Sequence, residues 1–132
     1  MYTLLILAYN EEKFIKDTVL KYVDKFETIL IVNDKSTDRT ESIVNKLEND
    51  YPNIKSISNK KNLGPGASMS LGIDHFLDSD SEYLIKIDGD NQFKEKDIIR
   101  LKNLTDDKKY DFIKGDRFWE NGIEGKIPLI RY

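Results

Sequence analysis

The sequence predicts an α/β protein: a Rossmann-like open, mostly parallel sheet with helices on both faces. Three observations carry this. Apolar runs of strand length alternate with amphipathic stretches of helical period along the chain. The polar residues that break this rhythm collect just after the strands, where open parallel sheets bind ligands. The 132 residues are 39% hydrophobic and 34% charged, enough for one domain with its own core, so residues 1–132 are read as a single unit.

Thr3 to Ala8 (TLLILA) is a continuous apolar run, as expected of a central strand covered on both faces. After the polar Tyr9-Asn10-Glu11-Glu12, apolar positions recur at helical spacing from Phe14 and Ile15 to Phe26, with Asn10 as the expected N-cap. Thr28 to Val32 is the second strand, ending at Asn33-Asp34. Asp38 and Glu41 resemble a capping box for a helix that buries Ile43, Val44 and Leu47 and is closed by Pro52. Asn53 to Ser58 is a third strand, and Asn59 to Asn62 a polar turn. Gly64-Pro65-Gly66 opens a helix with Ala67, Leu71, Ile73, Phe76 and Leu77 as its apolar positions. Tyr83 to Ile87 is the fourth strand, and a helix over Glu95 to Leu104 packs Ile98, Ile99, Leu101 and Leu104. Asp111 to Lys114 reads as a fifth strand running into Gly115-Asp116-Arg117.

The stretch around the fourth strand organises the rest. Its apolar run stops at Asp88-Gly89-Asp90, with Gln92 two residues on. Gly89 lets the backbone turn without a Cβ, so that both carboxylates converge beyond the strand end. Two carboxylates and a side-chain amide make a hard oxygen cluster suited to Mg²⁺ or Mn²⁺, which take one or two protein carboxylates and leave other positions to water and phosphate. Context matters more than the pattern: with 15 Asp in the chain, about 1.7 Asp-x-Asp pairs arise by chance. Asp78/Asp80 lies in a polar turn and reads as solvated, whereas Asp88/Asp90 directly follows an apolar strand. Tyr9 and Glu11 after strand one, Asp34 after strand two and Arg117 after strand five complete a set of polar strand endings that reads as a site.

Composition excludes several classes. Net charge is −3, and no basic stripe interleaved with aromatics is present, so nucleic acid is not an expected partner. Cysteine is absent, which removes disulfide, zinc-thiolate and thiol chemistry and fits a reducing compartment. No apolar run reaches the length of a membrane span, and Tyr2 to Ala8 is too short and lacks the basic leader of a signal peptide. The single histidine, His75, reads as a surface or packing residue, and Trp119, just after Arg117, either packs or lines an acceptor opening.

Five segments, in this order and spacing, resemble the inverting glycosyltransferases of family 2, which have the GT-A fold. Leu7-Ala8-Tyr9-Asn10-Glu11-Glu12 is similar to the family's Pro-x-Tyr-Asn-Glu, and Val32 to Thr40 (VNDKSTDRT) to its Val-Asp-Asp-Gly-Ser-x-Asp-x-Thr. Asn62 to Ala67 (NLGPGA) resembles its Asn-x-Gly-x-Gly-x-Ala region. Asp88-Gly89-Asp90-Asn91-Gln92 resembles the Asp-Ala-Asp-x-Gln of the polyprenyl- and dolichyl-phosphate hexose transferases, and Lys114 to Phe118 (KGDRF) their Gly-Ser-Arg segment.

The resemblance implies a nucleotide-sugar-binding domain. Leu7, Tyr9, Glu11, Val32 and Asp34 would hold base and ribose; Asp88 and Gly89 would lie on the ribose and sugar side. Asp90 and Gln92 would hold Mg²⁺ or Mn²⁺ on the diphosphate, and Arg117 would neutralise that diphosphate as it leaves. Asp88, Asp90 and Arg117 are thus the expected catalytic residues. The implied donor is a UDP- or GDP-sugar and the implied acceptor a lipid phosphate or growing glycan, in cell-wall or polysaccharide synthesis. The implied location is the cytoplasm, at the cytoplasmic face of a membrane through segments outside this chain. In the family the acceptor side is built beyond the Gly-x-Arg segment, so the chain is read as a C-terminally truncated GT-A fold. A sugar-hydroxyl acceptor would need a general base, which has no place in this chain, whereas a phosphate acceptor is already ionised. Leu7 stands where the family has Pro, Asn33 its first Asp, Lys35 its Gly and Asp116 its Ser.

Three other readings are distinguishable. A nucleotidyltransferase-like domain also uses paired aspartates but needs a glycine-rich basic loop after strand one, where this chain has Tyr-Asn-Glu-Glu. A phosphoacceptor module with acidic strand ends leaves Gln92 and Arg117 without a role. A donor-binding fragment without turnover keeps the same site and differs only in activity.

Overall fold

The structure, a computed structural model, describes residues 1–105 and 110–115. In chain order the elements are β1 (Tyr2–Ala8), α1 (Ile15–Tyr22), β2 (Thr28–Asn33), α2 (Thr40–Asp50), β3 (Ile54–Ser58), α3 (Pro65–Leu77), β4 (Tyr83–Asp88) and α4 (Glu95–Leu104). The four strands form one parallel sheet in the order β3-β2-β1-β4. The alternation of strands and helices in the sequence therefore becomes the expected open, Rossmann-like α/β sheet.

The continuous apolar run of β1 follows from its interior position, paired with β2 on one side and β4 on the other. Side chains alternate across a strand. Leu4, Ile6 and Ala8 thus join the larger core, with Ile15, Val19 and Tyr22 of α1, Val44 and Leu47 of α2, and Ile98 of α4. Leu5 and Leu7 join Leu30 and Val32 in a smaller core beneath Met69 and Leu71 of α3. Among the described residues helices lie on both faces, α1, α2 and α4 against one and α3 against the other. At Gly72 of α3 an added Cβ would lie 2.6 Å from Leu5 Cδ1, so glycine lets the helix settle directly onto the strand. On β4 burial alternates, because Leu84, Lys86 and Asp88 lie on the thinly covered α3 face.

Several local expectations are corrected. Asn10 is not an N-cap: its φ is +52°, and it lies before a turn over residues 11–14 that delays α1 until Ile15 and leaves Phe14 half-exposed. The capping box at α2 does not form. Asp38 instead accepts the Thr40 N–H at 2.9 Å and the Thr40 hydroxyl at 2.6 Å. Leu77 and Leu104, assigned to apolar faces, are exposed at helix ends. Asp111 to Lys114 is not a strand; it runs irregularly with Phe112 82% exposed, since no strand lies beside it among the described residues to take up its backbone groups. Arg117, with Asp116 and Trp119, lies outside the described residues.

Candidate functional site

In the order β3-β2-β1-β4, the chain leaves β1 toward β2 on one side and returns to β4 on the other. The seam between β1 and β4 is the switch point at which open α/β sheets form a ligand crevice. A cleft of about 440 Å³ opens there. Leu7, Ala8 and Tyr9 from the end of β1 line it, with Glu11 above them and Asp88 and Asp90 from the end of β4 opposite. Asp34, Asn62, Gly64, Pro65 and Ser68 form the remaining wall.

The β1–α1 loop is fixed by the β2–α2 loop. The Asn10 side-chain carbonyl accepts the Thr37 N–H at 2.8 Å, and the Asn10 N–H donates to Ser36 Oγ at 3.0 Å. The Glu11 N–H donates to Thr40 Oγ1 at 2.8 Å, and the Glu12 N–H to Asp38 Oδ2 at 3.2 Å. Glu12 returns a carboxylate to the backbone N–H and Nε of Arg39. These contacts leave the Glu11 carboxyl directed to the cleft rather than to a cap. Burial, followed by the charges of Asp90, Asp88 and Asp38, pushes that carboxyl above its ordinary value. Glu11, Asp88 and Asp90 therefore share one field, to which Asp38 adds, and a cation near them relieves it.

Asp34 lines the cleft, but its carboxylate faces inward. It is 5% exposed, with Oδ1 accepting the Asn59 side-chain amide at 2.7 Å and the Leu63 N–H at 2.8 Å. Oδ2 accepts the Gly64 N–H at 2.8 Å. Burial acts to raise this carboxyl, but these donors together with the Ser68 hydroxyl outweigh it and hold the group below the usual carboxylate range. Asp34 thereby ties the Asn59–Gly64 loop and the start of α3 to the end of β2. Gly64, at φ +87°, makes the turn that Pro65 converts into the first helical residue. Asn33, buried beside it, accepts the Ser36 N–H and hydroxyl on Oδ1, so it shapes the loop and has no face on the cleft.

The Asp88–Asp90 turn is clamped from below by α1. Thr18 Oγ1 donates to the Gly89 carbonyl at 3.1 Å, and Lys21 Nζ reaches Asn91 Oδ1 and, at 3.4 Å, the Phe93 carbonyl. Glycine at position 89 eases a close approach rather than supplying a positive φ. Its φ is not positive; an added Cβ would instead sit 3.0 Å from Ile15 Cδ1 and 3.3 Å from the Leu7 carbonyl, to which the Gly89 N–H donates. The left-handed residue of this turn is Asn91, at φ +60°. Asp90 Oδ1 accepts the Gln92 N–H at 3.2 Å, and Lys86 Nζ lies 2.6 Å from Asp88 Oδ1.

The structure thus brings together Leu7, Tyr9, Glu11, Asp34, Asp88 and Asp90, with Gly89 packed beneath them. Val32 is set apart: it is fully buried beneath the smaller core and supports the cleft without lining it. Gln92 is exposed on the loop and touches Asp90 through its backbone N–H. The α3 wall, Thr18, Lys21 and Lys86 had no role assigned from sequence. Only the Asn-x-Gly-x-Gly segment signalled any of them. Among the described residues no group of three or more acidic or histidine side chains could cage a metal. The arrangement fits instead a cation held by one or two carboxylates and otherwise by water and phosphate.

An open parallel sheet with an acid-lined crevice at its switch point defines a Rossmann-like α/β domain with a candidate ligand site at the strand ends. The chain matches the family Glycosyl transferase family 2 over residues 3–131, and it belongs to that family. A dolichyl-phosphate beta-glucosyltransferase of Trichomonas vaginalis is 36% identical over 78% of this chain and 36% of its own length. TarS of S. aureus in complex with UDP superposes with a TM-score of 0.63 at 24% identity, over 80% of this chain and 32% of TarS. A mannosyltransferase from Pyrobaculum calidifontis, in complex with GDP-Man and Mn²⁺, superposes with a TM-score of 0.59 at 21% identity, over 67% of this chain and 27% of that one. The two superpositions show the GT-A fold, and the sequence relationship places the chain near the dolichyl-phosphate branch of the family. The chain spans well under two thirds of the length of each of these proteins.

Proposed function

We propose that this chain forms the donor half of an inverting transferase that moves a hexose from a UDP- or GDP-sugar to a lipid phosphate, with Mg²⁺ or Mn²⁺. The observation that carries the reading is the convergence of Glu11, Asp88 and Asp90 on one cleft at the β1–β4 seam. The relative named for dolichyl phosphate favours a lipid phosphate over a glycan as acceptor, and a lipid acceptor favours work at a membrane surface. No helix among the described residues is long and apolar enough to cross one.

In this reading the β1 end, with Leu7, Tyr9 and Glu11, receives base and ribose against the α3 wall. Asp34 serves that end by holding the wall in place. Asp88 accepts hydroxyls on the ribose and sugar side. Asp90, with Gln92, would hold the divalent ion, which when bound stabilises negative charge developing on the departing diphosphate. Arg117 would add a fixed cation to the same charge. An oxygen of the acceptor phosphate forms the new bond to the anomeric carbon as the bond to the nucleoside diphosphate breaks, inverting that carbon. The attacking oxygen is already ionised, so this acceptor needs no general base.

A thermal-shift panel of UDP-, GDP- and dTDP-sugars with and without Mn²⁺ tests the donor assignment, because a ligand bound only by the folded state raises its stability, by about 2.7 kcal/mol at a hundred times Kd. One nucleotide-sugar is expected to raise Tm in Mn²⁺ and to do so far less in EDTA. No shift with any of them removes the proposal. Transfer of labelled sugar to dolichyl phosphate, measured separately, distinguishes a complete transferase from a donor-binding domain.

A further inference from the structure

We infer that Lys86 divides the labour between the two aspartates of the β4 turn, reserving Asp88 for hydroxyl contacts and leaving Asp90 to the metal. This rests on the donor-binding reading above. Lys86 and Asp88 stand two residues apart on the α3 face of β4, opposite Leu5 and Leu7 of β1. The Lys86 ammonium lies 2.6 Å from Asp88 Oδ1, with about a third of its side chain exposed. Asp88 and Asp90 both line the cleft, but they are differently committed. Asp88 Oδ1 holds a full positive charge, whereas Asp90 Oδ1 holds only a backbone N–H at 3.2 Å.

A divalent cation prefers a carboxylate that no ammonium already neutralises. An ion on Asp88 would sit beside the Lys86 ammonium, cation against cation, with half of that carboxylate already committed. To use Asp90, it gives up one neutral hydrogen bond. Asp88 keeps its second oxygen free, and an oxygen held in place by an ammonium is well suited to accept hydroxyls. Among the described residues that line the cleft there is no lysine or arginine, so Lys86, reaching in through Asp88, is the cation bonded to a lining acid. The other charges facing the pair are acidic: Glu11 across the seam and Asp90 on the same turn, both close enough for their charges to act on one another.

The test is Mn²⁺ titration of the nucleotide-free protein, followed by paramagnetic resonance of the free ion, then the same with UDP present. Lys86→Met is expected to bind Mn²⁺ about two- to five-fold more tightly than the parent, the size expected when an exposed counter-ion is removed. Lys86→Arg keeps the pair and should match the parent. Adding Asp88→Asn to Lys86→Met should abolish the gain. Lys55→Met, on the exposed part of β3, removes the same charge at a distance and should leave affinity unchanged. If Lys86→Met leaves Mn²⁺ affinity unchanged or weaker, or if Lys55→Met matches its gain, the inference is wrong. A parent protein that binds neither Mn²⁺ nor any nucleotide-sugar overturns the donor-binding reading instead, a result that differs from either of these.

Discussion

Asp34 accepts the backbone N–H of Gly64 at 2.8 Å across 30 residues of sequence, and so joins the end of β2 to the start of α3. One of the acids at the cleft is therefore a fastening. Asp34→Ala would strand the N–H groups of Leu63 and Gly64 and the amide of Asn59. The expected cost is about 1–3 kcal/mol of stability, with nucleotide binding weakened in proportion to the loss of the wall. Urea unfolding beside nucleotide titration checks both. Unchanged stability with lost binding would mean that the carboxylate meets the ligand directly.

The acid limb of stability follows from the same group. Asp34 and Asp38 are both held below the ordinary value of 3.8 in the folded protein, in each case against burial. Their stabilisation is complete above that ordinary value and is lost as pH falls through the lower folded values. Glu11 has the opposite sign: its folded value is raised above 4.5, so it withdraws stability as pH rises through that window. Unfolding followed from pH 7 downward should show a shallower acid limb in Asp34→Ala, and Glu11→Gln should be the more stable protein at pH 7.

Asp90→Asn is nearly isosteric and keeps an acceptor for the Gln92 N–H, so folding should be almost unaffected. Affinity for the nucleoside diphosphate should drop about tenfold or more in Mn²⁺ and barely change in EDTA, since a neutral amide is a poor ligand for a hard cation. Asp80→Asn, in the exposed turn after α3, is the control and should change nothing. A metal-dependent loss in Asp80→Asn but not in Asp90→Asn would move the site to the other pair.

Thr18→Val removes a buried hydroxyl whose single hydrogen is shared between the Gly89 carbonyl at 3.1 Å and the Phe14 carbonyl at 3.0 Å. Shape is kept, the Gly89 carbonyl loses this donor, and about 1–2 kcal/mol of stability should go with it. The turn that carries Asp88 and Asp90 should loosen as well. Hydrogen exchange of the Asn91 and Gln92 amides is expected to accelerate, and exchange of the amides of β3, on the far edge of the sheet, to stay as it was.

Most of the sheet was legible from sequence because burial of β1 and β2 on both faces writes itself as unbroken apolar runs. Their ends fell within a residue of those expected, as did α4. The fifth strand was misread because Phe112 and Ile113 carry the composition of a strand, while a strand needs a partner that composition does not name. Asn10 and the Asp38–Glu41 pair were misread for a related reason. Asn10 bonds Thr37, 27 residues away, and Asp38 takes the Thr40 N–H and hydroxyl and the Glu12 N–H of the facing loop, partners that a capping box does not name. At the site, the sequence located the acids but not their commitments. Nothing local distinguishes Asp34, saturated by the loop that follows β3, from Asp90, which holds a single backbone N–H. Gly89 was read as easing a turn, whereas in the structure its φ is not positive and its missing Cβ makes room for Ile15 and the Leu7 carbonyl.

The seam between β1 and β4 also sets the order in which the cleft can come into being. Residue 2 pairs with residue 83, so this junction closes the longest loop in the described sheet. Closing it is slow relative to forming the local β1-α1-β2 and β2-α2-β3 units. Glu11 meets Asp88 and Asp90 only once β4 has docked on β1, and their mutual repulsion arises with that contact. A ligand that settles among these acids has nothing to hold before then. Its influence should fall on how long the native protein survives rather than on how quickly it forms, with unfolding slowed and the folding rate left nearly alone.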